Sequence, residues 1–341
     1  MNSNFTTRIL TTTSELREIA SEWSDLFQRC SATPFQSQEW ILAWADAFSP
    51  ERIRAVEVRS GGMLVGLAPL LIYPRGQESV LAFMAGGISD YLDVVVDPQF
   101  ECEVVSALVD AIQGIGGWTT LDLTDLPATS VLERTPLTQF GTAHDNCSAL
   151  QLPETREGLL QMLSKRQRAN LRNASSRLQR AGGGQVEMAT EETLSDCLED
   201  LFRLHTDRWS QLGEPGVLAD EKIKNFHVQA APRLLERGIL RIYRLRMNDR
   251  TIATLYSLIG SDSFFCYLQG FDPEFAHLSP GTQLMFRAME DAIQLGMHTF
   301  DLLRGDEAYK KHWRAQATAT HRIQLPRSAL GSMISPHKIA A

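Results

Sequence analysis

The order of predicted helices and strands constrains the fold of this chain most strongly, because the same order occurs twice. Each half of the 341-residue sequence predicts a strand, two helices, three strands, a helix, a strand, a short helix and a final strand. Strands interspersed with helices in this way are typical of α/β folds. We therefore predict two tandem modules, each a mixed sheet flanked by helices.

Hydrophobic periodicity and turn residues delimit the elements of the first half. Ser14 is a suitable N-cap for the first helix, and Gly61-Gly62 is a suitable turn for a hairpin. The predicted strands span 7–11, 53–59, 63–73, 79–85, 118–123 and 146–152, and the predicted helices span 14–29, 38–48, 101–113 and 128–138. A further extended run at 91–96 has no counterpart in the second half.

The second half opens with a basic helix predicted at 157–180. A short identity supports the repeat, because 110–113 and 291–294 both read Asp-Ala-Ile-Gln and both end a helix that precedes a strand. The remaining strands are predicted at 185–189, 238–246, 251–260, 263–271, 298–302 and 319–325, and the helices at 193–212, 219–237, 281–295 and 306–314. These elements predict modules at 1–153 and 154–330, followed by a tail at 331–341.

Charge, cysteines and missing motifs narrow the function classes. A formal net charge of −8 at pH 7 disfavours a DNA-binding protein. The five cysteines form no CxxC pair and the eight histidines show no ligand spacing, so no metal site is predicted. The sequence has no GxSxG, HExxH, GxGxxG or Walker motif, which disfavours hydrolases, dehydrogenases and NTPases. With no signal-peptide pattern and no run of 18 apolar residues, a cytoplasmic protein without a membrane span is expected.

Three segments of the second half carry a resemblance to a known family. They are 164–172 (SKRQRANLR), 270–281, which runs from Gly-Phe-Asp to Ser-Pro-Gly, and 301–313 (DLLRGDEAYKKHW). The chain resembles GNAT acyltransferases over about residues 15–315, in particular the BioF2-like or cellulose-biosynthesis-type acetyltransferases. These are relatives of the Fem peptidoglycan aminoacyltransferases, which also pair two GNAT modules.

The resemblance implies an acyltransferase that uses acyl-CoA, with acetyl-CoA as the expected co-substrate. It implies transfer to an amine or a sugar hydroxyl of a small-molecule or sugar-linked acceptor, in polysaccharide or cell-envelope biosynthesis. Two other functions stay open. Aminoacyl-tRNA-dependent transfer, as in the Fem relatives, is disfavoured by the acidic net charge and by the lack of a coiled-coil arm. The third reading is a non-catalytic partner in polysaccharide synthesis.

The donor site is predicted in the second module. Ser279, Gly281 and Thr282 lie at the start of the helix predicted at 281–295, where backbone N–H groups are suited to binding phosphates. An ordinary helix start is the other interpretation. The matching turn of the first module, 96–99, has no glycine and carries an aspartate that would repel a phosphate.

The strand predicted at 263–271 would, by the resemblance, be the GNAT strand that separates from its neighbour and hydrogen-bonds the pantetheine arm of the donor. A backbone N–H near Gln269 and Gly270 would then stabilise the oxyanion of the tetrahedral intermediate. A turn at the end of the strand is the alternative explanation for Gly270.

The resemblance also assigns catalytic roles. Tyr309 matches a tyrosine that protonates the departing thiolate in GNAT enzymes, and Lys310 matches a lysine near the reacting carbonyl in the Fem relatives. Asp301 ends a strand and is either a base for an acceptor ammonium or a helix cap. A packed tyrosine and an exposed helix lysine are the structural alternatives for the first two.

The acceptor is predicted to bind between the modules, where Asp90, Tyr91 and Asp93 offer polar groups, although a solvated turn has the same pattern. Arg168 and Arg172 belong to a stretch with six cations and no acid. This cationic face would bind donor phosphates or an anionic acceptor, contact RNA or lipid headgroups, or simply be solvated.

Overall fold

The structure, a computed structural model, describes residues 5–211 and 213–333. The chain divides into two compact units: unit 1 is Met1–Asp145 with Ala319–Ala341, and unit 2 is Asn146–Thr318. Each unit contains sheet flanked by helices, which confirms the predicted α/β fold class. The modules predicted at 1–153 and 154–330 stay a prediction, and residues 334–341 of the predicted tail lie outside the described residues.

The strands and helices are numbered in chain order. The strands are β1 (Phe5–Leu10), β2 (Ala55–Ser60), β3 (Met63–Ala68), β4 (Leu70–Arg75), β5 (Glu78–Phe83), β6 (Val95–Val96), β7 (Thr120–Leu126), β8 (Gly141–Gln151), β9 (Gln185–Met188), β10 (Leu240–Met247), β11 (Arg250–Ile259), β12 (Ser263–Phe271), β13 (Thr299–Arg304) and β14 (Gln316–Pro326). The helices are α1 (Thr13–Glu18), α2 (Ala20–Arg29), α3 (Gln38–Phe48), α4 (Glu101–Gly114), α5 (Arg156–Met162), α6 (Lys165–Arg180), α7 (Leu194–Gln211), α8 (Glu221–Glu236), α9 (Pro280–Gln294), α10 (Ala308–His312) and α11 (Arg327–Met333).

Unit 1 contains one antiparallel sheet in the order β1-β2-β3-β6 and further strands paired as β4-β5-β7-β14, with β5 parallel to β7. Val104, Leu108 and Ile112, spaced four residues apart on α4, are buried in its core. Helix α4 lies so close to β3 that a Cβ on Gly66 would be 2.3 Å from Val104 Cγ1. Glycine at position 66 is therefore what allows this packing.

One predicted strand, 63–73, is two strands in the structure. Pro69 separates β3 from β4, because proline has no N–H to donate to a ladder. Ala68 pairs with Val56, whereas Leu70 pairs with Phe83, so the chain leaves one set of strands and joins another at this proline.

Unit 2 contains a sheet in the order β8-β13-β12-β11-β10-β9, in which β12 and β13 are parallel and the other described pairs are antiparallel. Helix α9 packs against β10, β11 and β12, and α7 packs against β11 and β12. The buried face of α9 has helical spacing and consists of Leu284, Met285, Ala288, Met289 and Ala292.

The final strand of each half in sequence belongs to the sheet of the other unit. β8 follows the elements of unit 1, but its residues Cys147–Gln151 pair with β13 in unit 2. β14 follows the elements of unit 2, but its residues His321–Pro326 pair with β7 in unit 1. This exchange explains why the units divide at 145/146 and 318/319 rather than at a single linker.

Two predicted helices are also pairs of helices. The helix predicted at 14–29 is α1 and α2, and its N-cap is Thr12, not Ser14, because Thr12 and Glu15 form a capping box. The basic helix predicted at 157–180 is α5 and α6, since Leu163 and Ser164 are extended and Ser164 caps α6. Within the described residues, no helix is both long and apolar enough to cross a membrane.

Candidate active site

Two parallel strands of unit 2 separate partway along their length. β12 and β13 pair only from Ser263 to Phe265 and from Thr299 to Asp301, although β12 continues to Phe271 and β13 continues to Arg304. Beyond this point the backbone groups of β12 that point away from β11 pair with no strand of the described residues. The strand predicted to separate from its neighbour therefore does so, and its free edge is able to bind an extended ligand.

A cavity of about 860 Å³ lies beside the point where β12 and β13 separate, entirely within unit 2. It brings together residues that lie far apart in the sequence. From the predicted donor and catalytic sets, its lining includes Gln269, Ser279, Gly281, Thr282 and Tyr309.

The start of α9 opens into this cavity. Ser279 adopts a left-handed conformation with φ 53°, and its side chain makes no cap hydrogen bond to the helix. Its hydroxyl instead accepts a hydrogen bond of 3.1 Å from Arg177 Nη2. A Cβ on Gly281 would find its nearest neighbours at 3.9 Å, so the space over this first turn is open. An uncapped helix start with open space is suited to binding an anion.

The lining is strongly cationic. It carries Arg166, Arg177, Arg208, Lys311 and Arg314, and no carboxylate is among the described lining residues. The Nε of Arg177 is buried and has no hydrogen-bond partner among the described residues. Since a buried donor without a partner is costly, this cavity favours a ligand with several negative charges.

Tyr309 lines the cavity and shares a hydrogen bond with the side chain of Gln269. Burial raises the pKa of its phenol well above the ordinary value, and the neighbouring Cys266 and Glu307 raise it further. The phenol is therefore protonated at neutral pH and offers an O–H group at the cavity wall.

Lys310, the predicted oxyanion cation, does not line the cavity, whereas its neighbour Lys311 does. Lys310 is 3% exposed, and its ammonium donates hydrogen bonds to the carbonyls of Leu303, Arg304 and Gly305 at 3.0, 2.6 and 3.1 Å. It also pairs with Glu307 at 2.9 Å. These contacts favour a role in holding the turn after β13.

Two other predicted site residues, Asp301 and Gly270, contact the backbone of the protein near the point where β12 and β13 separate. The carboxylate of Asp301 accepts a 2.7 Å hydrogen bond from the N–H of Leu303, whose φ is +59°. Gly270 faces α7, and a Cβ there would be 2.6 Å from His205 N. Neither Asp301 nor Gly270 lines the cavity.

The predicted acceptor residues Asp90, Tyr91 and Asp93 lie in unit 1. The carbonyl of Tyr91 accepts a 2.8 Å hydrogen bond from Gln36. Asp93 accepts hydrogen bonds from its neighbour's N–H and from Ser130 Oγ, both at 2.8 Å, and burial raises the pKa of its carboxyl to about 7.

The two predicted arginines of α6 lie outside the cavity lining. Arg168 donates hydrogen bonds to the carbonyls of Leu160 and Leu163 at the end of α5, at 3.1 and 2.6 Å, and Arg172 is exposed. The arginines of α6 that do line the cavity are Arg166 and Arg177.

A group with metal-ligand character lies in unit 1. Ligand atoms of Asp125, His144 and Asp145 all lie within 4.8 Å of one another. Since the sequence spacing of histidines and cysteines showed no ligand pattern, this group was not predicted. The expectation of a protein without a metal stays a prediction.

Part of unit 2 is similar in sequence to a family of known proteins. Residues 165–311 match the family described as an acetyltransferase (GNAT) domain. The fold is similar to the crystal structure of FemX, with a TM-score of 0.68, 13% identity and coverage of 97% of this chain and 100% of that chain. No curated protein matched the sequence.

Two further solved structures share the fold. The C-terminal domain of a putative lysylphosphatidylglycerol synthetase from Agrobacterium fabrum has a TM-score of 0.57, 12% identity and coverage of 95% and 96% of the two chains. L-PGS from Bacillus licheniformis has a TM-score of 0.58, 11% identity and coverage of 92% and 94%. At these identities the likeness concerns the fold.

Proposed function

We propose that this protein is an acyltransferase that moves an acyl group from acyl-CoA to an amine or hydroxyl acceptor. The acyl group that we expect is acetyl. The observation that carries the proposal is the uncapped start of α9, which opens into a cationic cavity beside the separated strands β12 and β13. The match of residues 165–311 to a GNAT acetyltransferase domain supports it.

The site residues divide into a phosphate-binding and a reacting part. Gly281 and Thr282 offer backbone N–H groups to the donor phosphates, and Arg177 adds a cation beside them. The free edge of β12 would hydrogen-bond the pantetheine arm and, near Gln269, the oxyanion. As the acceptor attacks the thioester carbon and the carbon–sulfur bond breaks, Tyr309 would give its proton to the thiolate.

Calorimetric titration with acetyl-CoA tests the donor. Gly281→Asp would place a carboxylate against the phosphates, so we expect at least about tenfold weaker binding, equal to about 1.4 kcal/mol. The control is Gln99→Asp at the matching turn of unit 1, which is exposed and should leave the Kd unchanged. Equal affinities for wild type and Gly281→Asp would place the donor elsewhere, and no binding at all would favour the non-catalytic partner.

A second candidate is aminoacyl-tRNA-dependent transfer, as the resemblance to Fem proteins implies. Its support is the exposed cations of α6, namely Lys165, Arg166, Arg172 and Arg180. A tRNA gel shift at physiological salt, with competing acetyl-CoA, distinguishes the two donors. Saturable tRNA binding without acetyl-CoA binding would favour this second function. A role in polysaccharide or cell-envelope biosynthesis rests on the sequence resemblance alone.

A further inference from the structure

Three buried polar side chains between β11 and α7 lack hydrogen-bond partners. The hydroxyls of Thr254 and Tyr256 and the Nδ1 of His205 have no partner among the described residues, and these side chains are 1%, 0% and 3% exposed. Leaving each such group unpaired costs about 1–3 kcal/mol. Three together therefore mark a place where a bound molecule would supply the missing hydrogen bonds.

Strand pairing and packing place the backbones of these residues beside one another. Thr254 pairs with Gly270 on β12, and Gly270 packs directly against the backbone of α7 at His205. Tyr256 lies two residues beyond Thr254, on the same face of β11. We call Thr254, Tyr256 and His205 the neutral polar cluster.

Aromatic rings surround this cluster. The ring of Tyr256 lies 5.8 Å from that of Tyr267 and 5.3 Å from that of His227, and the ring of His205 lies 5.9 Å from that of Trp209. Tyr267 and Trp209 are partly exposed, so these two rings lie between the buried cluster and the solvent. Flat apolar faces beside a few hydrogen-bonding groups suit a ligand with both C–H and O–H surface, such as a sugar ring.

The cluster carries no negative charge. Burial lowers the pKa of His205 to about 4 and that of His227 to about 3, so both rings are neutral at pH 7. Arg208 lowers the pKa of His205 further, and among the described residues no carboxylate shifts either histidine or Tyr256. Among the described residues, an ammonium group would meet the cation Arg208 and no carboxylate that shifts these groups, whereas a hydroxyl would meet neutral partners.

The cluster adjoins the proposed donor site. Helix α7 carries both His205 and, three residues later, Arg208, which lines the cavity and stacks over Phe271 at 5.4 Å. On β12, Tyr267 contacts the ring of Tyr256, and Gln269 lines the cavity. A ligand on the cluster would therefore lie beside the free part of β12.

We propose that the neutral polar cluster binds the acceptor and selects an uncharged hydroxyl compound of the sugar type over an ammonium compound. The inference rests on the proposed acyl-CoA-dependent function and narrows its acceptor class. The acceptor oxygen forms a bond to the acyl carbon while the carbon–sulfur bond of the donor breaks. The hydroxyl proton passes to Nδ1 of His205, and Tyr309 protonates the departing thiolate.

A pair of buried tyrosines gives the test its matched control. The Tyr256 hydroxyl is unpartnered, whereas the equally buried Tyr243 hydroxyl shares a 2.9 Å hydrogen bond with Asp291. Tyr256→Phe should therefore keep or raise the Tm while raising the KM for methyl β-glucoside about tenfold. Tyr243→Phe should lower the Tm and leave that KM unchanged. A Tyr256→Phe variant that loses Tm as Tyr243→Phe does, with an unchanged KM, would overturn the proposal.

The acceptor class is tested with acetyl-CoA at saturation and thiol release as the readout. We expect kcat/KM for methyl β-glucoside to exceed that for its 2-ammonium analogue by about tenfold or more. Preference for the ammonium compound, or acetyl-CoA binding without transfer to the glucoside, would overturn this inference and leave the donor proposal standing.

Saturation-transfer NMR with methyl β-glucoside, with and without acetyl-CoA, gives a readout that needs no turnover. Glucoside binding that Tyr256→Phe weakens and Tyr243→Phe does not weaken supports the cluster. Absence of glucoside binding in both conditions contradicts it. Failure of acetyl-CoA itself to bind would refute the proposed function, which the donor titration shows separately.

Discussion

Tyr309 is the side chain on which the proposed chemistry depends most directly. It lines the cavity beside Gln269, and its raised pKa keeps the phenol protonated. We expect Tyr309→Phe to lower kcat by at least about 10²-fold with little change in the acetyl-CoA Kd, because proton transfer to the thiolate occurs in the transition state. Steady-state kinetics with a working acceptor, together with calorimetry, measure the two effects. Full activity of the variant would show that Tyr309 has a structural role only.

Lys310 and Lys311 are adjacent in sequence but have opposite environments. Lys310→Met removes the donor for three carbonyls and the partner of Glu307, so we expect about 2–4 kcal/mol lower stability by urea denaturation. Lys311→Met should leave stability unchanged and raise the donor KM about threefold or more, because Lys311 lines the cavity. If Lys310→Met instead lowers kcat at unchanged stability, the oxyanion role predicted from the sequence is correct.

Individual cavity-lining residues were predictable where a family motif marks them and not where only packing brings them to the cavity. Ser279, Gly281, Thr282, Gln269 and Tyr309 were named from the sequence, and the cavity brings them together. The cations that line it beside them come from α6, α7 and the end of α10, and their proximity depends on tertiary packing that no spacing in the sequence records.

At the scale of elements, two glycines of unit 2 give a direct test of the packing. A Cβ on Gly270 would be 2.6 Å from both His205 N and Leu204 C, which are backbone atoms of α7. Gly270→Ala should therefore cost about 1–3 kcal/mol of unfolding free energy. Gly281→Ala, whose Cβ would meet nothing nearer than 3.9 Å, is the control and should be nearly neutral. Equal Tm values for both variants would contradict the close approach of α7 to β12.

Periodicity predicted most elements within a few residues, and α3 and β12 with the bounds that the structure has. The points at which a predicted strand or helix is divided in two were not predicted, because the hydrophobic periodicity continues across them. Pro69 divides a strand, and Ser164 caps α6 through Gln167, although both signals are present in the sequence.

At the scale of the whole molecule, the repeated element order was predictable, whereas the exchange of β8 and β14 was not. An exchanged strand has the same sequence pattern as one that stays in its own sheet, because the pattern records burial and not the partner. We expect fragments 1–153 and 154–330 to fail to fold alone, since each lacks the strand that completes its sheet. Circular dichroism and cooperative thermal melting measure this. Co-expression of the two fragments should restore both, while independent folding of 154–330 would contradict the exchange.

An experimental structure with bound acetyl-CoA would show whether the cationic cavity of unit 2 holds the donor phosphates. We expect phosphate oxygens within hydrogen-bond distance of the N–H groups of Gly281 and Thr282, with Arg177 beside them. We also expect the pantetheine arm along β12 beyond Phe265. Well-defined donor density at any other place on the protein would contradict this assignment of the donor site.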